Sequence, residues 1–370
     1  MFLGKGELRK SLIREFDLRV LGDVDRGAFE DVLDEVLATV MSVFRRAAPS
    51  KGAVALQPTP PQDHSRDGGR TARKRAALLA QVGRFEFDPR GFEVIEGEPF
   101  VYWWDASDFQ FYARHPKLGD VCYTTAGAQT SPKERFLRRV WEVRRSQVYL
   151  RRAEQTGQRP DLSRISYVPY LDGADGMVWF EPPSNVVDWT SKGLTLKVWH
   201  VHKTGTITKR VAGEGYYFKA GAAANSLGAI FNGRAHRWQS ITGTMGTTSY
   251  PNATVRMSQL VCLFNSQRAK SILSALNPSL HFNVGDVNRL PIAPMAEADR
   301  IFDLMDMAFA GREAVRECSV EFRAPGSSEW AWYLSWAQTA VDLVEGVPLP
   351  ALQPVPCLLY TSDAADERSS

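Results

Sequence analysis

Ser258-Gln-Leu-Val-Cys-Leu-Phe-Asn-Ser-Gln-Arg-Ala-Lys270 opens the stretch that decides how this chain is built, and His281-Phe-Asn-Val-Gly-Asp-Val-Asn-Arg-Leu-Pro-Ile292 closes it. Leu260, Val261, Leu263, Phe264, Ala269, Ile272, Leu273 and Leu276 recur at helical spacing. They predict one helix with Ser258 at its cap and Asn277-Pro278 at its stop. A short apolar segment then runs to Leu290-Pro291, where proline, having no N–H to donate, is expected to end strand pairing. Asn283, Gly285 and Asp286 read as a structural turn that anchors the helices after it, with Leu290 and Pro291 as its end.

Working towards the N-terminus, Gly6 to Phe16 predicts an amphipathic helix with Leu8, Leu12, Ile13 and Phe16 on one side. Leu18 to Leu21 reads as a short strand ending at Gly22-Asp23, and Val36 to Phe44 as a buried one. Together they predict the tail of a doubly wound α/β sheet. Pro49 to Gly69, rich in Pro, Gly and Ser, reads as a linker, and Arg70 to Leu79 as a short helix. Phe85, Phe87, Phe92, Phe100, Tyr102, Trp103 and Trp104 then form an aromatic run, expected to pack a domain junction; a base-stacking platform is the alternative.

From Val178 to Phe218 the pattern predicts short strands: Asn185 to Trp189, Leu194 to Val201, Thr206 to Val211 and Tyr216 to Phe218. Gly215 to Gly246, dense in Gly, Ala, Ser and Thr, reads as loops between strands. Glu297 to Glu317 and Glu329 to Val344 predict two amphipathic helices.

Size and composition set the outer bounds. With 370 residues and 44% hydrophobic content the chain suits a globular protein of two or three domains. No run of eighteen apolar residues and no signal peptide appears, so a cytoplasmic protein without a membrane partner is expected. Cys122, Cys262, Cys318 and Cys357 are too scattered for a zinc site or a disulfide framework. A net charge of +3 is too small to identify a polyanionic partner, so the distribution of charge must decide. Residues 357–370, beginning Cys357-Leu-Leu-Tyr-Thr-Ser-Asp-Ala-Ala-Asp-Glu367, read as translated sequencing-adapter sequence and are set apart as non-native, which suggests a gene fragment.

The helix, the turn and the Asn-Val-Gly-Asp…Leu-Pro-Ile ending resemble the closing signature of target recognition domains in large bacterial adenine methyltransferases. Leu118-Gly-Asp-Val121, Gly127 and Phe136-Leu137 resemble the opening of such a domain, and Leu18 to Glu30 resembles the segment after the catalytic motif. The family resembled is the adenine-specific DNA methyltransferase of bacteriophage-exclusion (BREX) systems, the PglX family. The resemblance implies the C-terminal end of a catalytic domain at 1–48, a junction at 49–117, a target recognition domain at 118–292 and a helical region at 293–350. It implies α/β and α+β architecture, with a Rossmann-like sheet tail ahead of a mixed α+β recognition domain. It also implies S-adenosylmethionine as cofactor of the full-length family, double-stranded DNA as partner, and other BREX proteins as further partners.

Chemistry is harder to place on this chain. Methylating adenine's exocyclic amine needs a flipped base held beside S-adenosylmethionine. Families that do this use a polar residue, Pro-Pro and an aromatic, yet Thr59-Pro-Pro-Gln62 and Glu181-Pro-Pro-Ser184 fit neither flank. Phe2-Leu-Gly-Lys-Gly6 superficially fits a cofactor loop, but no strand precedes it to deliver the loop to a sheet's carboxyl edge. No catalytic, cofactor-binding or metal residue is therefore assigned, and no cofactor is expected to bind. His200 and His202 flank Val201 on an expected strand and would share a face, without a third ligand.

DNA contact has better candidates. Lys133 to Arg152 carries Arg138, Arg139, Arg144 and Arg145 in the densest basic run, of the kind that neutralises phosphates. Lys192, Lys203, Arg210, Arg234 and Arg237, with Asn225, His236, Gln239 and Asn252, are candidates on loops for reading bases. These readings predict the DNA-recognition portion of a site-specific adenine methyltransferase of a BREX or restriction–modification system. The alternative is a non-catalytic specificity subunit acting with a separate catalytic chain.

Overall fold

The computed structural model describes residues 6–25, 28–29, 39–50, 52–58, 69–153, 166–172, 177–206, 210–227, 230–277, 281–326 and 331–348. The chain divides into Met1–Ala310 and Gly311–Ser370. The adapter-like tail and Phe2–Lys5 lie outside the described residues. The architecture is mixed α+β, as expected, with three mixed sheets.

The first sheet follows α1 (Gly6–Glu15). Ile13 of α1 is buried; Leu8 is exposed, and Arg9 takes the inner position by donating Nε to the Gly97 carbonyl at 2.9 Å. β1 (Asp17–Asp25) pairs antiparallel with β2 (Thr39–Arg45) and parallel with β3 (Ala53–Leu56). After α2 (Arg70–Leu79), β4 (Arg84–Phe87) pairs antiparallel with β3, giving the order β2-β1-β3-β4. Two expectations change here. The expected linker contains a strand, because Ala53 and Ala55 bury on one side of β3. The expected buried strand is an edge strand, on which Met41 and Val43 face outward. Leu18, Leu21, Ala55 and Phe87 take the core face; Leu18 and Leu21 are three apart, and the register shift between Leu18 and Val20 turns both inward.

The aromatic run packs inward. Phe92 is fully buried, with ring centroids 5.5 Å from Phe87 and 5.7 Å from Phe100; Trp104 lies 5.7 Å from Tyr112 on α3 (Ala106–Arg114). Rings that cover one another cannot also stack bases, so the platform alternative fails, and Trp103 alone of the run is substantially exposed. Asp105 caps α3 by accepting from the Ser107 and Asp108 N–H groups at 2.7 and 2.9 Å.

Next come α4 (Leu118–Val121), β5 (Cys122–Ala126), α5 (Lys133–Phe136), β6 (Leu137–Arg139), β7 (Tyr167–Leu171), β8 (Trp179–Phe180) and β9 (Asn185–Asp188). α6 (Thr190–Thr204) precedes β10 (Ala222–Asn225), β11 (Gly233–Ala235), β12 (Ile241–Thr242) and β13 (Gly246–Pro251). β5-β13-β10-β11-β8 form the second sheet and β12-β7-β9-β6 the third. The tract read as loops thus supplies the central strand β10. Its small residues serve close packing: a Cβ on Gly233 would stand 2.5 Å from the Phe264 side chain, and one on Gly221 2.9 Å from the Tyr250 ring. Tyr216 lies in a single tight turn, Glu214–Tyr216, and not in a strand.

The deciding stretch forms two helices, not one: α7 (Met257–Asn265) and α8 (Gln267–Leu276). Ser266 breaks them, with extended backbone and Oγ accepting from the Ala269 N–H at 3.1 Å. Its competing side-chain oxygen satisfies the orphan donors of a new helix start. α9 (Val284–Asn288) follows, and the Asp286 carboxylate accepts from the Asn283 N–H at 3.0 Å and from Asn277 Nδ2 at 2.7 Å. Gly285 has open space where a Cβ would stand. Beyond it, pairing continues past Pro291. Leu118 N–H donates to the Leu290 carbonyl at 2.8 Å and Ile292 N–H to the Pro116 carbonyl at 2.9 Å. Pro291 sits opposite Lys117 in that bridge, at a position that requires no donor.

α10 (Ala298–Val315) continues the chain. In the C-terminal unit Arg316 pairs with buried Glu313 at 2.6 Å, and α11 (Ala331–Val341) is the last described helix.

Leu290 is fully buried in the main core with Leu118, Val287 and Phe264. Leu290→Ala is expected to lower the unfolding free energy by about 2–5 kcal/mol through lost burial and a residual cavity, measured by urea denaturation. A loss below about 1 kcal/mol would mean that the bridge is peripheral.

Candidate nucleic-acid interface

The third sheet and α6 have a core of their own, built from Phe136, Val168, Tyr170, Val187, Trp189, Leu196, Tyr217 and Ile241. The basic run crosses this lobe. Phe136, Val140 and Val148 are buried anchors, and the cations between them face solvent. Arg138 donates to the Glu134 and Leu137 carbonyls at 2.8 and 2.6 Å; Arg139 reaches Asn185 Oδ1 at 3.2 Å. Lys133 pairs with Asp172. A groove of about 750 Å³ here is lined by Lys133, Arg138 and Arg139 but also by Glu134, Glu142 and Asp172. Three cations against three carboxylates leave the groove without net charge, so any excess of positive charge lies beside it.

There, exposed Arg144 and Arg145 follow the groove residues, and Lys192 and Lys203 stand exposed near the two ends of α6. Among the described residues, no carboxylate lies within ion-pair distance of these four. Leu194 to Val201, expected as a strand, is helical. Its β-branched residues favour a strand, but burial of Leu196 and His200 four apart fixes the helix against the lobe's core. His200 and His202 therefore do not share a face. His200 is buried and donates Nε2–H to the Gln129 carbonyl at 2.6 Å, while His202 is exposed.

The start of α6 is unusual. Ser191, Lys192 and Gly193 all have left-handed backbone, with φ of 51°, 60° and 71°. Glycine is required at the third position, because a Cβ there would lie 2.6 Å from the buried Trp189 ring. On the flank of α6, Trp199 is held between two cations: Arg135 Cζ lies 4.4 Å and Lys203 Nζ 5.1 Å from its ring centroid. Trp199 Nε1–H donates to the Ser131 carbonyl at 3.2 Å, tying the basic run's first turn to the helix. Sequence patterning missed α6 and Trp199 because it took the segment at a period of two.

Other candidates lie inside the protein. Arg234 is fully buried, pairs with Glu181 at 2.5 Å and donates Nη2–H to the Asp172 carbonyl at 3.1 Å. Arg237 is buried, pairs with Asp306 at 2.5 Å and lies against the Phe180 and Phe309 rings. Both were expected on reading loops; the fold uses them as internal struts instead. Arg210 is half-buried and donates to Gln129 Oε1. Asn225 is buried, with Nδ2 donating to the Leu227 and Ile230 carbonyls; buried Gln239 accepts from the Tyr149 hydroxyl at 2.8 Å. Exposed Asn252 caps a turn by accepting from the Thr254 N–H at 2.9 Å. The nearest warning was Arg234's setting between Phe231, Gly233 and Ala235; the partners Glu181 and Asp306 are distant in sequence.

Asp23, the acid after the glycine-rich start, accepts from the Tyr102 hydroxyl at 2.8 Å and is raised by burial. It is thus engaged with Tyr102 inside the fold. No group of three or more His, Cys, Asp or Glu could hold a metal ion among the described residues. Nor is any described helix long and apolar enough to cross a membrane.

The chain is 23% identical over 307 residues to the adenine-specific methyltransferase PglX of Lacticaseibacillus casei (strain Zhang), covering 79% of this chain and 24% of that protein. The chain thus spans about a quarter of the length of that relative. No family model matches it. The likeness is distant and supports a relationship to PglX-like adenine-specific methyltransferases.

His236 offers a direct test of the buried assignment. Burial, reinforced by the charge of Arg234, pushes its imidazole down to about 3 from 6.5. The folded chain keeps it neutral, so its contribution to stability is complete above pH 6.5 and is lost as pH falls towards 3. Between those limits the unfolded chain holds the extra proton, a slope of about 1.4 kcal/mol per pH unit. Urea unfolding from pH 6.0 to 5.0 should cost the wild type about 1 kcal/mol more than His236→Gln; equal losses would place His236 in solvent.

Proposed function

We propose that this chain is the DNA sequence-recognition portion of an adenine-specific DNA methyltransferase of a phage-defence (BREX) or restriction–modification system. In the full-length protein S-adenosylmethionine supplies the methyl group, and the catalytic loop lies on residues outside this chain. The observation that carries the reading is the set of solvent-facing cations, Arg144, Arg145, Lys192 and Lys203, that have no carboxylate partner among the described residues, on a lobe with its own core. The distant likeness to PglX supports the same reading.

Phosphate contacts set affinity and register, whereas base edges set sequence choice. Arg144 and Arg145, in a turn pinned by Val148, suit the first task. Glu142, whose carboxylate accepts from the Arg139 N–H at 2.6 Å, is held within the groove and away from those two.

Purified chain should enrich a motif from a random duplex pool, and the motif should survive a rise in salt. Arg144→Gln with Arg145→Gln should lower the slope of log K against log salt by up to about 1.8, at ~0.9 per phosphate contact. Binding that disappears with salt and enriches nothing would overturn the reading. Transfer of a labelled methyl group to that duplex by the chain alone would refute placing the chemistry elsewhere.

A further inference from the structure

The outer face of α6 is exposed. Leu194, Val198 and Val201 are 55%, 57% and 50% exposed, and their i, i+4, i+7 spacing puts them in one stripe. Thr195 and His202 are exposed beside them. The buried side, Leu196 and His200, is the opposite one. Three large aliphatic residues in a row on a soluble helix are a contact surface in search of a partner.

Charge identifies the partner. α6 contains no acidic residue and three lysines. Lys192 marks its N-terminal tip, and one flank is Trp199 with Arg135 and Lys203 over its ring. On the other flank Lys197 is neutralised by Glu214 at 2.5 Å. Asp188, just before the helix, is occupied in accepting from the Thr190 N–H at 2.9 Å. A second exposed stripe, Ile301, Leu304 and Met307 on α10, differs in charge: Asp299, Asp303 and Asp306 accompany it, of which Asp299 pairs with Arg256 and Asp306 with Arg237. α6, with three lysines and no acid, is the one whose charge suits a polyanion.

We infer that α6 enters the major groove of duplex DNA and reads thymine methyl groups with Leu194, Val198 and Val201. The major groove is about 12 Å wide and admits a helix, and the C5-methyl of thymine is the apolar feature displayed there. Thr195 and His202 face neighbouring base edges, and Lys192, Lys203 and Arg135 meet the flanking phosphates. From Leu194 to Thr204 the helix is about 16 Å long at ~1.5 Å per residue, enough for several base pairs. The inference rests on the proposed function and names the element and the base chemistry that perform it.

The test uses the full chain and the motif it selects, with each thymine replaced in turn by uracil, which removes only the methyl group. Wild type should bind about four-fold more weakly at each contacted thymine, the value of one buried methyl. Val198→Ser should bind the thymine and uracil duplexes equally at one position, and Val198→Ile should restore the difference. Because Val198 is exposed, both variants should unfold at the wild-type urea concentration. If a motif is selected but no uracil substitution weakens wild-type binding, α6 is not the reading helix, and the proposed function stands without it. Retention of the full thymine preference by Val198→Ser, Leu194→Ser and Val201→Ser would exclude α6 in the same way. Selection of no motif overturns both.

Discussion

Two backbone hydrogen bonds, Leu118 N–H to Leu290 and Ile292 N–H to Pro116, hold the middle of this molecule together. They join the beginning and end of a long excursion that contains the second and third sheets. Closing a longer loop costs little more entropy than closing a short one, so burial next to the closure decides whether it holds. Leu118, Val287 and Leu290 are fully buried there, in one cluster with Phe92, Tyr112 and Phe264. Each side is also capped from within: Asp120 accepts from the Lys117 N–H and Asp286 from the Asn283 N–H. Gly119 completes the fit, since a Cβ there would stand 3.1 Å from Asn288 Cβ. The strands in between therefore fold against fixed ends.

The arginines fall into two populations with different physics. Arg234 and Arg237 are removed from water, which is tolerable only because Glu181 and Asp306 compensate their charge. Deleting either partner would leave a buried charge, so these pairs constrain how β8, β11 and α10 meet. Arg144 and Arg145 are exposed, and neither meets a carboxylate among the described residues. A cation that neither packs nor pairs is free to exchange its water for a phosphate oxygen.

What the sequence made legible follows from range. α1, α2, α10 and α11 were readable because their signals lie within a few turns of chain. The Asn283–Asp286 turn was legible for the same reason, since a carboxylate three residues after its partner needs no tertiary help. β3 was hidden in a Pro- and Gly-rich tract, and β10 in a run of alanines, because small residues become strands only when a neighbour approaches closely. Ser266 sits inside an apolar pattern that continues on both sides of it, although serine is as suited to starting a helix as to continuing one. α6 escapes sequence patterning for a deeper reason: Thr, Val and Trp favour strands, and only the core formed by Trp189, Tyr217 and Ile241 makes a helical face worth burying. Burial of Arg234 was equally invisible, since Glu181 meets it only after β8 and β11 pair.

On the proposed function, specificity must be able to change without loss of the fold, and the lobe around α6 separates those demands. Everything that fixes the helix faces inward or lies at its start: Leu196 and His200 on the buried side, and Gly193 against Trp189. The residues proposed to read bases lie on the outward arc. Exchanging Leu194, Thr195, Val198, Val201 or His202 would leave the buried contacts intact and cost only surface helix propensity, about a few tenths of a kcal/mol each. Trp199 occupies the border between the two sets. Its ring carries Arg135 and Lys203 while its indole N–H is anchored to Ser131, so those two cations keep their register whatever the outward arc becomes. The same fold can thus present different faces to different target sites.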